Sequence, residues 1–569
     1  MHYRRVTAVL LFMGCLVGQA NAGADAATAH LFFHVQLGAA SAQPTSGRLL
    51  LFATDAKTAE AHALEESNGK DSKVDTVDAS PFDGSQGAVA AREVGRWLPG
   101  QTVDIDADQL AYPTGYSQLP PGDYLMQAVL DVDHNYNYGG RGAGDLVSEV
   151  IKVHLPMTGI PTLSLSKALP AVDPWAASPT MPAEMRDALP AAHAHATLVD
   201  FVSPSLSAFW GRPIHMRGWV LTPPGYDAKA ATRYPVVYST QGFGGNNDRV
   251  IGTLVRDDVA MGKHEMPPMI WVFLDESSPT GTHEFADSVN NGPWGHALTT
   301  ELIPELESHY RMDARMSGRF LNGHSSGGWA TLWLQTHYPK IFGGTWSTSP
   351  DSSDFHDFTG IDLYAAHPNA YRRADGSAYP LVRDHAKVLG TFEQFAKLER
   401  VLGEYGGQLA SFEWVFSPRG KDGRPEPMFD RDTGQIDPAV VVYWRDHYDI
   451  AYWLQQQWPR LKPDLDGKIH LYVGTADTFY LDGAAHRLQV VLDGLHAKSD
   501  FHFLPDRTHM DLYVIGTDRQ GLLKQITWQM YAIARPQSTL KPPIAIAEQQ
   551  STLTPLSSQP QPTGSRPHQ

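Results

Sequence analysis

Cysteine is almost absent from this chain of 569 residues, which contains one, Cys15. Because Cys15 falls within the first 22 residues, which have the pattern of a cleaved leader, the mature chain is predicted to contain no cysteine. That absence excludes disulfides, a thiolate nucleophile and cysteine metal sites. An exported chain without disulfides is typical of a periplasmic or secreted bacterial protein.

The chain also lacks a hydrophobic run long enough to cross a membrane. Its N-terminus has a charged start at Arg4 and Arg5, an apolar run over residues 6–17 and an Ala-Asn-Ala cleavage site. The run is too short to span a bilayer, so residues 1–22 are predicted to be a signal peptide and no transmembrane segment is expected. A lipoprotein acylated at Cys15 is the alternative, but the residues before it fit that signal poorly.

Positive charge is scarce as well. The chain has 45 Lys and Arg against 62 Asp and Glu, a formal net charge of −17. Removing the leader takes away two arginines and no acids, which leaves −19. This balance argues against nucleic acid or anionic lipid as a partner. The 42% hydrophobic and 19% charged content is ordinary for a globular protein, so a large core can form.

Residues 28–155 show strand patterns at turn-marked intervals without helices between them, and this predicts a β-sandwich-like domain. The strand-like runs are 31–37, 48–53, 102–105, 124–130 and 147–155. Residues 156–197, rich in proline and alanine, are interpreted as a linker that could hold a short helix.

One loop in this region places oxygen-bearing side chains at every second residue. Asp131, Asp133 and Asn135 have the spacing of a Ca²⁺ loop, but no acid closes the loop at the EF-hand distance. An Asx-rich hairpin loop is the favoured interpretation. No metal or organic cofactor is expected.

The pattern changes over residues 198–535, where continuous apolar runs alternate with helix-like segments. The strand-like runs are 216–221, 234–239, 269–274, 317–322, 343–347, 467–474 and 501–504, and the clearest helix candidates are 300–310 and 521–534. This alternation predicts a mainly parallel α/β sheet covered on both faces. Residues 349–466 are far longer than a crossover requires and are predicted to form an inserted cap or side lobe. The Pro-, Ser- and Gln-rich residues 536–569 are predicted to be disordered.

Residues 323–327 read Gly-His-Ser-Ser-Gly, a G-x-S-x-G motif between a strand-like and a helix-like run. In that context the motif predicts a nucleophile elbow that holds the Ser325 hydroxyl out at the top of the sheet. The flanking glycines let strand and helix approach each other, and the Ser326 N–H becomes an oxyanion donor. A glycine-rich turn with an inert serine is the alternative.

An acyl-transfer serine also needs a base and an acid. Asp477 follows the strand that ends at residue 474, and His509 lies five residues beyond the strand that ends at 504. Both follow the serine in the chain order that this motif's fold uses. Asp482 and Asp506 compete for the acid's role, but Asp477 is favoured because it starts its loop at a strand end.

The second oxyanion donor is expected in the loop after the second strand. Residues 242–245 form a glycine-rich turn there, in which backbone N–H groups can face a ligand. The Phe243 N–H is the predicted donor. A phosphate-binding loop is the alternative, but no G-K-[ST] follows.

Residues 205–350 and 467–515 resemble the esterase D-like family of α/β-hydrolases, which includes feruloyl esterases, enterochelin esterases, S-formylglutathione hydrolases and mycolyltransferases. The likeness rests on VLTPPGY at 220–226, the 242–245 turn, ELIP at 301–304, the 323–327 motif, SPD at 349–351 and GTAD at 474–477. The resemblance implies an α/β-hydrolase fold. A β domain ahead of the hydrolase is similar to the arrangement in enterochelin esterases.

The resemblance also implies roles for individual residues. Ser325, Asp477 and His509 take the positions of the triad, and the N–H groups of Phe243 and Ser326 those of the oxyanion donors. Two departures stand out, because Gln241 occupies a position where many members have His, and the insertion lies outside the usual pattern.

These features together predict an exported serine carboxylic-ester hydrolase that acts on a small-molecule or polymer-linked ester. Four aromatic residues near the catalytic segments are predicted to line its pocket, with core packing as the alternative: Trp294, Trp329, Phe479 and Tyr480. Two other functions remain open, an α/β-hydrolase-type peptidase and a non-catalytic envelope- or carbohydrate-binding protein with a relic hydrolase domain. The intact Ser, Asp and His set weighs against the relic.

The leader makes the first testable prediction. Protein recovered from the periplasm or medium of a bacterial host should begin at Gly23, because cleavage follows the Ala-Asn-Ala site. N-terminal sequencing measures this directly. An acylated N-terminal Cys15 would instead establish the lipoprotein alternative.

Overall fold

The computed structural model describes residues 29–38, 41–66, 73–79, 87–178, 181–544 and 546. The predicted signal peptide lies outside the described residues. Of the predicted disordered tail, residues 536–569, the structure describes 536–544 and 546, and the rest lies outside. Within the described ranges, no helix has the length and apolar character needed to cross a membrane.

The N-terminal region is a single nine-stranded sheet. Its strands are β1 (Phe32–Leu37), β2 (Thr45–Asp55), β3 (Ala88–Trp97), β4 (Thr102–Asp106), β5 (Ala111–Tyr112), β6 (Gly122–Asp131), β7 (Leu146–Ser148), β8 (Ile151–Leu155) and β9 (Thr162–Ala168). The order is β4-β1-β9-β7-β6-β2-β3-β5, with β8 also paired to β6. The sequence predicted a β-sandwich-like domain, whereas backbone hydrogen bonds join all nine strands into one sheet.

Two elements of this region differ further from the sequence-based expectation. Helix α1 (Ala56–Glu66) follows β2 in a region expected to lack helices. Strand β9 comes from the segment interpreted as a linker, because its parallel pairing with β1 adds it to the sheet. A single helical turn, α2 (Tyr136–Gly139), occupies the Asx-rich loop after β6.

The C-terminal region is built on an eight-stranded sheet in the order β10-β11-β13-β12-β18-β19-β22-β23. These strands are β10 (Ala196–Val202), β11 (His215–Leu221), β12 (Val236–Thr240), β13 (Ile270–Leu274), β18 (Arg319–His324), β19 (Gly344–Thr348), β22 (Ile469–Gly474) and β23 (Ser499–Leu504). Short hairpins supply β14 (Ser277–Ser278), β15 (Gly281–Thr282), β16 (Asp287–Ser288), β17 (Gly292–Pro293), β20 (Pro380–Asp384) and β21 (Lys387–Thr391). Strand β11 is antiparallel to both its neighbours, and every later pair along the sheet is parallel.

Helices cover both faces of this sheet, as predicted. They are α3 (Ala183–His195), α4 (Pro204–Trp210), α5 (Ile251–Gly262), α6 (Trp294–Ala297), α7 (Ile303–His309), α8 (Ser326–His337), α9 (Phe392–Leu402), α10 (Gln408–Phe416), α11 (Pro438–Tyr448), α12 (Ile450–Leu465), α13 (Leu481–Gly494) and α14 (Gly521–Ala534). A π-helical turn, Leu298–Leu302, separates α6 from α7, so the single helix predicted from residue 300 begins irregularly. One core contains residues of α8, α11 and α12, and the opposite core contains residues of α3, α5 and α14.

The insertion at residues 349–466 forms a lobe of four helices, α9–α12, with the β20–β21 hairpin. Helix α9 connects this lobe to the N-terminal sheet, because its Leu398, Val401 and Leu402 share a core with strand residues of that sheet. Arg48 of β2, only 3% exposed, donates through Nε to the Val401 carbonyl at 2.9 Å. The N-terminal sheet is therefore in direct contact with the lobe.

Candidate active site

Ser325 occupies the turn between β18 and α8 with φ 60° and ψ −127°, a conformation that non-glycine residues rarely adopt. Neighbouring glycines make this turn possible. A Cβ at Gly323 would lie 2.1 Å from the Gly327 carbonyl oxygen, and one at Gly327 would lie 2.3 Å from the Gln241 carbonyl oxygen. The backbone is therefore packed too closely for any side chain at either position.

His509 and Asp477 form a buried hydrogen-bonded pair. Their Nδ1 and Oδ2 atoms are 2.9 Å apart, and their side chains are 5% and 0% exposed. The other carboxylate oxygen accepts the N–H groups of Phe479 and Leu481. Burial by itself would raise the pKa of Asp477, but the charge and hydrogen bond of His509 outweigh it and lower that pKa. Asp477 is therefore held as a carboxylate.

The two competing acids are engaged elsewhere or face solvent. Asp482 forms an ion pair with Arg383 at 3.0 Å, and burial raises its pKa to about 6. The Asp506 side chain is 86% exposed. Among the described residues, neither is hydrogen-bonded to His509, whereas Asp477 is.

The hydroxyl of Ser325 points toward a further carboxyl group. It donates to Asp351 Oδ1 at 3.5 Å, while the Ser326 hydroxyl donates to Asp351 Oδ2 at 2.6 Å. In the part of the chain that the structure describes, the Ser325 hydroxyl makes no hydrogen bond to His509. Burial raises the pKa of Asp351, and the Ser326 hydrogen bond only partly offsets this. Catalytic contacts that are absent without substrate commonly form when it binds.

The glycine turn at residues 242–245 lies directly over the nucleophile. A Cβ at Gly242 would be 3.0 Å from Ser325 Cβ and 3.6 Å from its Oγ. The Gly245 N–H donates to the Gly242 carbonyl at 2.9 Å and closes the turn around Phe243. Gln241, where many esterases of the resembled family carry His, donates its side-chain amide to the Asn246 carbonyl at 3.3 Å and so also contacts this turn.

Histidine 324, the residue before the nucleophile, packs its ring against His509 with centroids 4.4 Å apart. Burial lowers the pKa of His324 to about 3, and the nearby charge of His509 adds to this effect. His324 is therefore neutral and adds no second positive charge beside His509.

Two buried acids near the site were not predicted from the sequence. Glu276 and Glu284 are fully buried, and their carboxyl oxygens have no hydrogen-bond partner among the described residues. Burial raises the pKa of both well above the usual value, and the Asp351 carboxylate raises it further. Both are thus expected to be neutral. Glu276 follows the end of β13 by two residues, and this strand-end position was the available signal.

The four predicted pocket residues have different surroundings. Phe479 contacts the His509 ring edge-to-face at 4.9 Å. Trp329 is 1% exposed and packs on Phe416, so it belongs to the core here. The ring of Trp294 stacks on His283 at 3.5 Å, and that of Tyr480 lies 4.2 Å from the Arg383 guanidinium.

A small cavity of about 40 Å³ lies beside Asp351 and Phe479. Its remaining walls come mostly from the inserted lobe, and they include Phe358, Leu381, Phe392, Phe395, Gln408 and Phe412. A water molecule needs about 10–15 Å³ of such cavity volume, so the cavity has room for only a few waters. A bulky ester group does not fit this cavity as it stands.

The predicted Ca²⁺ residues lie together with one further acid. Ligand atoms of Asp131, Asp133 and Asp145 are within 4.8 Å of one another. The carboxylates of Asp131 and Asp145 accept backbone N–H groups of the loop, and the Asn135 amide donates to Asp133 at 2.8 Å. Burial raises the pKa of Asp131 to about 6. These bonds are those of an Asx-rich loop, the interpretation that the sequence favoured over a Ca²⁺ site.

Comparison with known proteins finds similarity to esterases in part of the chain. Residues 207–360 match the family described as "Putative esterase", and this match supports a carboxylic-ester hydrolase. The match includes the 242–245 turn and Ser325 and ends inside the insertion. No match was found among the curated proteins.

Solved structures similar to this chain are also esterases and serine hydrolases. A ferulic acid esterase is 12% identical with a TM-score of 0.36, covering 60% of this chain and 97% of its own. An S-formylglutathione hydrolase from Agrobacterium tumefaciens is 13% identical with a TM-score of 0.36, covering 60% and 95%. A fluorophosphonate-binding serine hydrolase from Staphylococcus aureus is 12% identical with a TM-score of 0.35, covering 59% and 97%. With TM-scores below 0.5, these likenesses carry no inference about substrate or mechanism.

The close packing at the turn makes a prediction. Gly323→Ala should lower the melting temperature and reduce kcat. Its new Cβ would lie 2.1 Å from the Gly327 carbonyl oxygen and 2.3 Å from the Thr240 hydroxyl oxygen, and both cannot move away. Overpacking of this kind costs about 1–3 kcal/mol. Gly494→Ala at the end of α13 is the control, since nothing lies within 4 Å of its Cβ. Thermal unfolding and ester hydrolysis measure both variants, and wild-type behaviour of Gly323→Ala would contradict this account of the turn.

Proposed function

We propose that this protein is an exported serine carboxylic-ester hydrolase that uses Ser325, His509 and Asp477 as a catalytic triad. The observation that carries the proposal is the buried His509–Asp477 hydrogen bond of 2.9 Å at the sheet edge that also presents Ser325. Strands β18, β22 and β23 run parallel and end there, so their following loops converge. The family match over residues 207–360 supports the same activity.

In the proposed reaction, the Ser325 hydroxyl turns from Asp351 and attacks the ester carbonyl carbon, while His509 accepts its proton. The C–O bond to the alcohol then breaks, and His509 returns the proton to the leaving alcohol. In the second half, water gives a proton to His509 and attacks the acyl carbon. The bond from that carbon to Ser325 Oγ breaks, and His509 returns the proton to Ser325 as the acid leaves. Asp477 accepts a hydrogen bond from the Nδ1–H of His509 throughout, which holds the imidazole in the productive tautomer.

The tetrahedral oxyanion is assigned to the N–H groups of Phe243 and Ser326. A Cβ placed on Gly242 would lie 3.0 Å from Ser325 Cβ. This loop is therefore close enough to face an oxygen attached to the reacting carbon. Neutral carboxyl groups at Glu276 and Glu284 would keep full negative charge away from the developing oxyanion.

The inserted lobe is proposed to shape the substrate site. It supplies most of the apolar and aromatic wall beside Asp351, and Phe479 joins that wall to His509. Flat aromatic or apolar acyl groups suit such a wall, after the lobe opens. Export to the periplasm or medium, through the predicted signal peptide, would bring the enzyme to small-molecule or polymer-linked esters outside the cytoplasm.

The nucleophile assignment is tested by covalent labelling. A fluorophosphonate should modify wild type at Ser325, and Ser325→Ala should lose both labelling and acyl-enzyme formation. Residual catalysis by the oxyanion donors alone would be about 10³-fold or more below wild type. Peptide mass spectrometry locates the label. A label on another residue, or wild-type kcat in Ser325→Ala, would overturn the assignment.

The acid assignment is tested by matched amide variants. Asp477→Asn should lower kcat by about 10⁴-fold, because an amide cannot hold the His509 tautomer. Asp482→Asn removes a nearby carboxylate, in the first turn of α13, that pairs with Arg383 instead of His509, so its kcat should remain within a few-fold of wild type. Steady-state kinetics on an aryl ester compares them. A dead Asp482→Asn with a near-normal Asp477→Asn would show that the acid has been assigned wrongly.

A further inference from the structure

The N-terminal region contacts the turn that carries the proposed oxyanion donor. Helical turn α2 lies in the loop after β6 and contains Tyr138, whose side chain is 8% exposed. Its hydroxyl donates to the Gly245 carbonyl at 2.7 Å. Its ring packs edge-to-face on Phe243, with centroids 5.0 Å apart and an interplanar angle of 77°. One tyrosine thus contacts both the side chain and the backbone of the 242–245 turn.

Two further contacts hold the same loop against the turn. Arg249, in the C-terminal region, donates to the Gly244 carbonyl at 3.1 Å and to the Gly139 carbonyl at 2.5 Å. A Cβ at Gly244 would lie 3.2 Å from the Tyr138 carbonyl oxygen, so the two backbones are almost in contact. The loop and the oxyanion turn therefore pack as one unit.

The loop is also attached to the inserted lobe. The Asn137 side chain donates to the carbonyls of Glu399 and Gly403, at 2.8 and 2.9 Å. Both carbonyls belong to α9 or to the residue that ends it. With one residue bound to the lobe and the next bound to the oxyanion turn, α2 cannot shift without moving one of them.

A glycine-rich turn needs such support. Residues 242–245 include three glycines, and Gly244 adopts φ 82°, so their own side chains do little to restrict the backbone. An oxyanion donor must lie about 2.7–3.1 Å from the oxyanion, and a misplacement of about 1 Å can cost 10²-fold in rate. The orientation of the Phe243 N–H depends on the conformation of this turn, which Tyr138 contacts at the Phe243 ring and at the Gly245 carbonyl.

We propose that Tyr138 is a positioning residue for the oxyanion loop, so that the N-terminal domain completes the active site of the C-terminal domain. This inference rests on the proposed esterase function. It assigns the N-terminal domain a role in the acyl-transfer step, through one hydrogen bond and one aromatic contact. Tyr138 itself touches neither the substrate nor the reacting atoms.

The test uses the full chain and two substitutions at one position. Tyr138→Phe keeps the ring and removes the hydrogen bond to Gly245, and it should lower kcat about 3- to 10-fold with KM nearly unchanged. Tyr138→Ala removes both contacts and should lower kcat about 10²-fold, near the loss of an oxyanion donor. The rate of fluorophosphonate labelling at Ser325 should fall in the same order, because the phosphoryl oxygen uses the same donors.

Tyr136→Phe is the matched control. Tyr136 is in the same helical turn and equally buried, but its hydroxyl donates to Asp78 within the N-terminal region. A loss of stability alone would therefore appear in Tyr136→Phe as well, with a lower melting temperature and an unchanged kcat. Thermal unfolding of all three variants separates folding from positioning.

The outcomes distinguish this inference from the proposed function. If wild type is labelled at Ser325 but both Tyr138 variants keep wild-type kcat and labelling rate, the positioning role is wrong and the esterase proposal stands. If KM rises and kcat does not change, Tyr138 affects binding and the inference is also wrong. If wild type is neither labelled nor active on esters, the proposed function itself fails.

Discussion

The strained backbone of Ser325 is the constraint on which the rest of this site depends. Its φ of 60° is a conformation that costs about 1–3 kcal/mol, and it persists only where surrounding structure determines it. That structure is the crossing of β18 with α8, which requires Gly323 and Gly327 to have no side chain. The parallel sheet then brings the loops after β22 and β23 to the same edge. The His509–Asp477 pair and the oxyanion turn are arranged around this one residue.

Burial determines the charges around the nucleophile. Asp477 is held ionised because it has a histidine and two N–H donors, whereas Glu276 and Glu284 have no hydrogen-bond partner among the described residues and their pKa values rise. Buried carboxyl groups without donors are neutral, since desolvation penalises the charged form. A carboxylate bonded to His509, beside two neutral carboxyl groups, suits a reaction in which negative charge develops on substrate oxygen and positive charge on His509. The N-terminal domain adds a positional constraint from outside, through Tyr138.

Local patterns in the sequence predicted those parts of the molecule that local residues determine. Helix α14 spans the predicted residues 521–534, and the strands flanking the serine motif differ from prediction by only a residue or two at their ends. Its position at the end of a strand favoured Asp477 over Asp482 and Asp506, and the structure contains its bond to His509. Strand β9 was missed because proline and alanine obscured a short segment, which becomes a strand by pairing with the distant β1 and with β7. Tyr138 lies 107 positions from Gly245, its partner in the turn, and Glu284 lies far from any motif. No local signal in the sequence therefore marks either residue.

The most direct test of the account is a crystal structure of the wild-type enzyme after reaction with a fluorophosphonate. The account predicts phosphorus bonded to Ser325 Oγ, with a phosphoryl oxygen about 2.7–3.1 Å from the backbone nitrogens of Phe243 and Ser326. It also predicts that His509 keeps its hydrogen bond to Asp477 and comes into contact with the adduct on Ser325. Phosphorus on another residue, or a phosphoryl oxygen directed toward Asp351 with neither nitrogen within hydrogen-bonding distance, would contradict it.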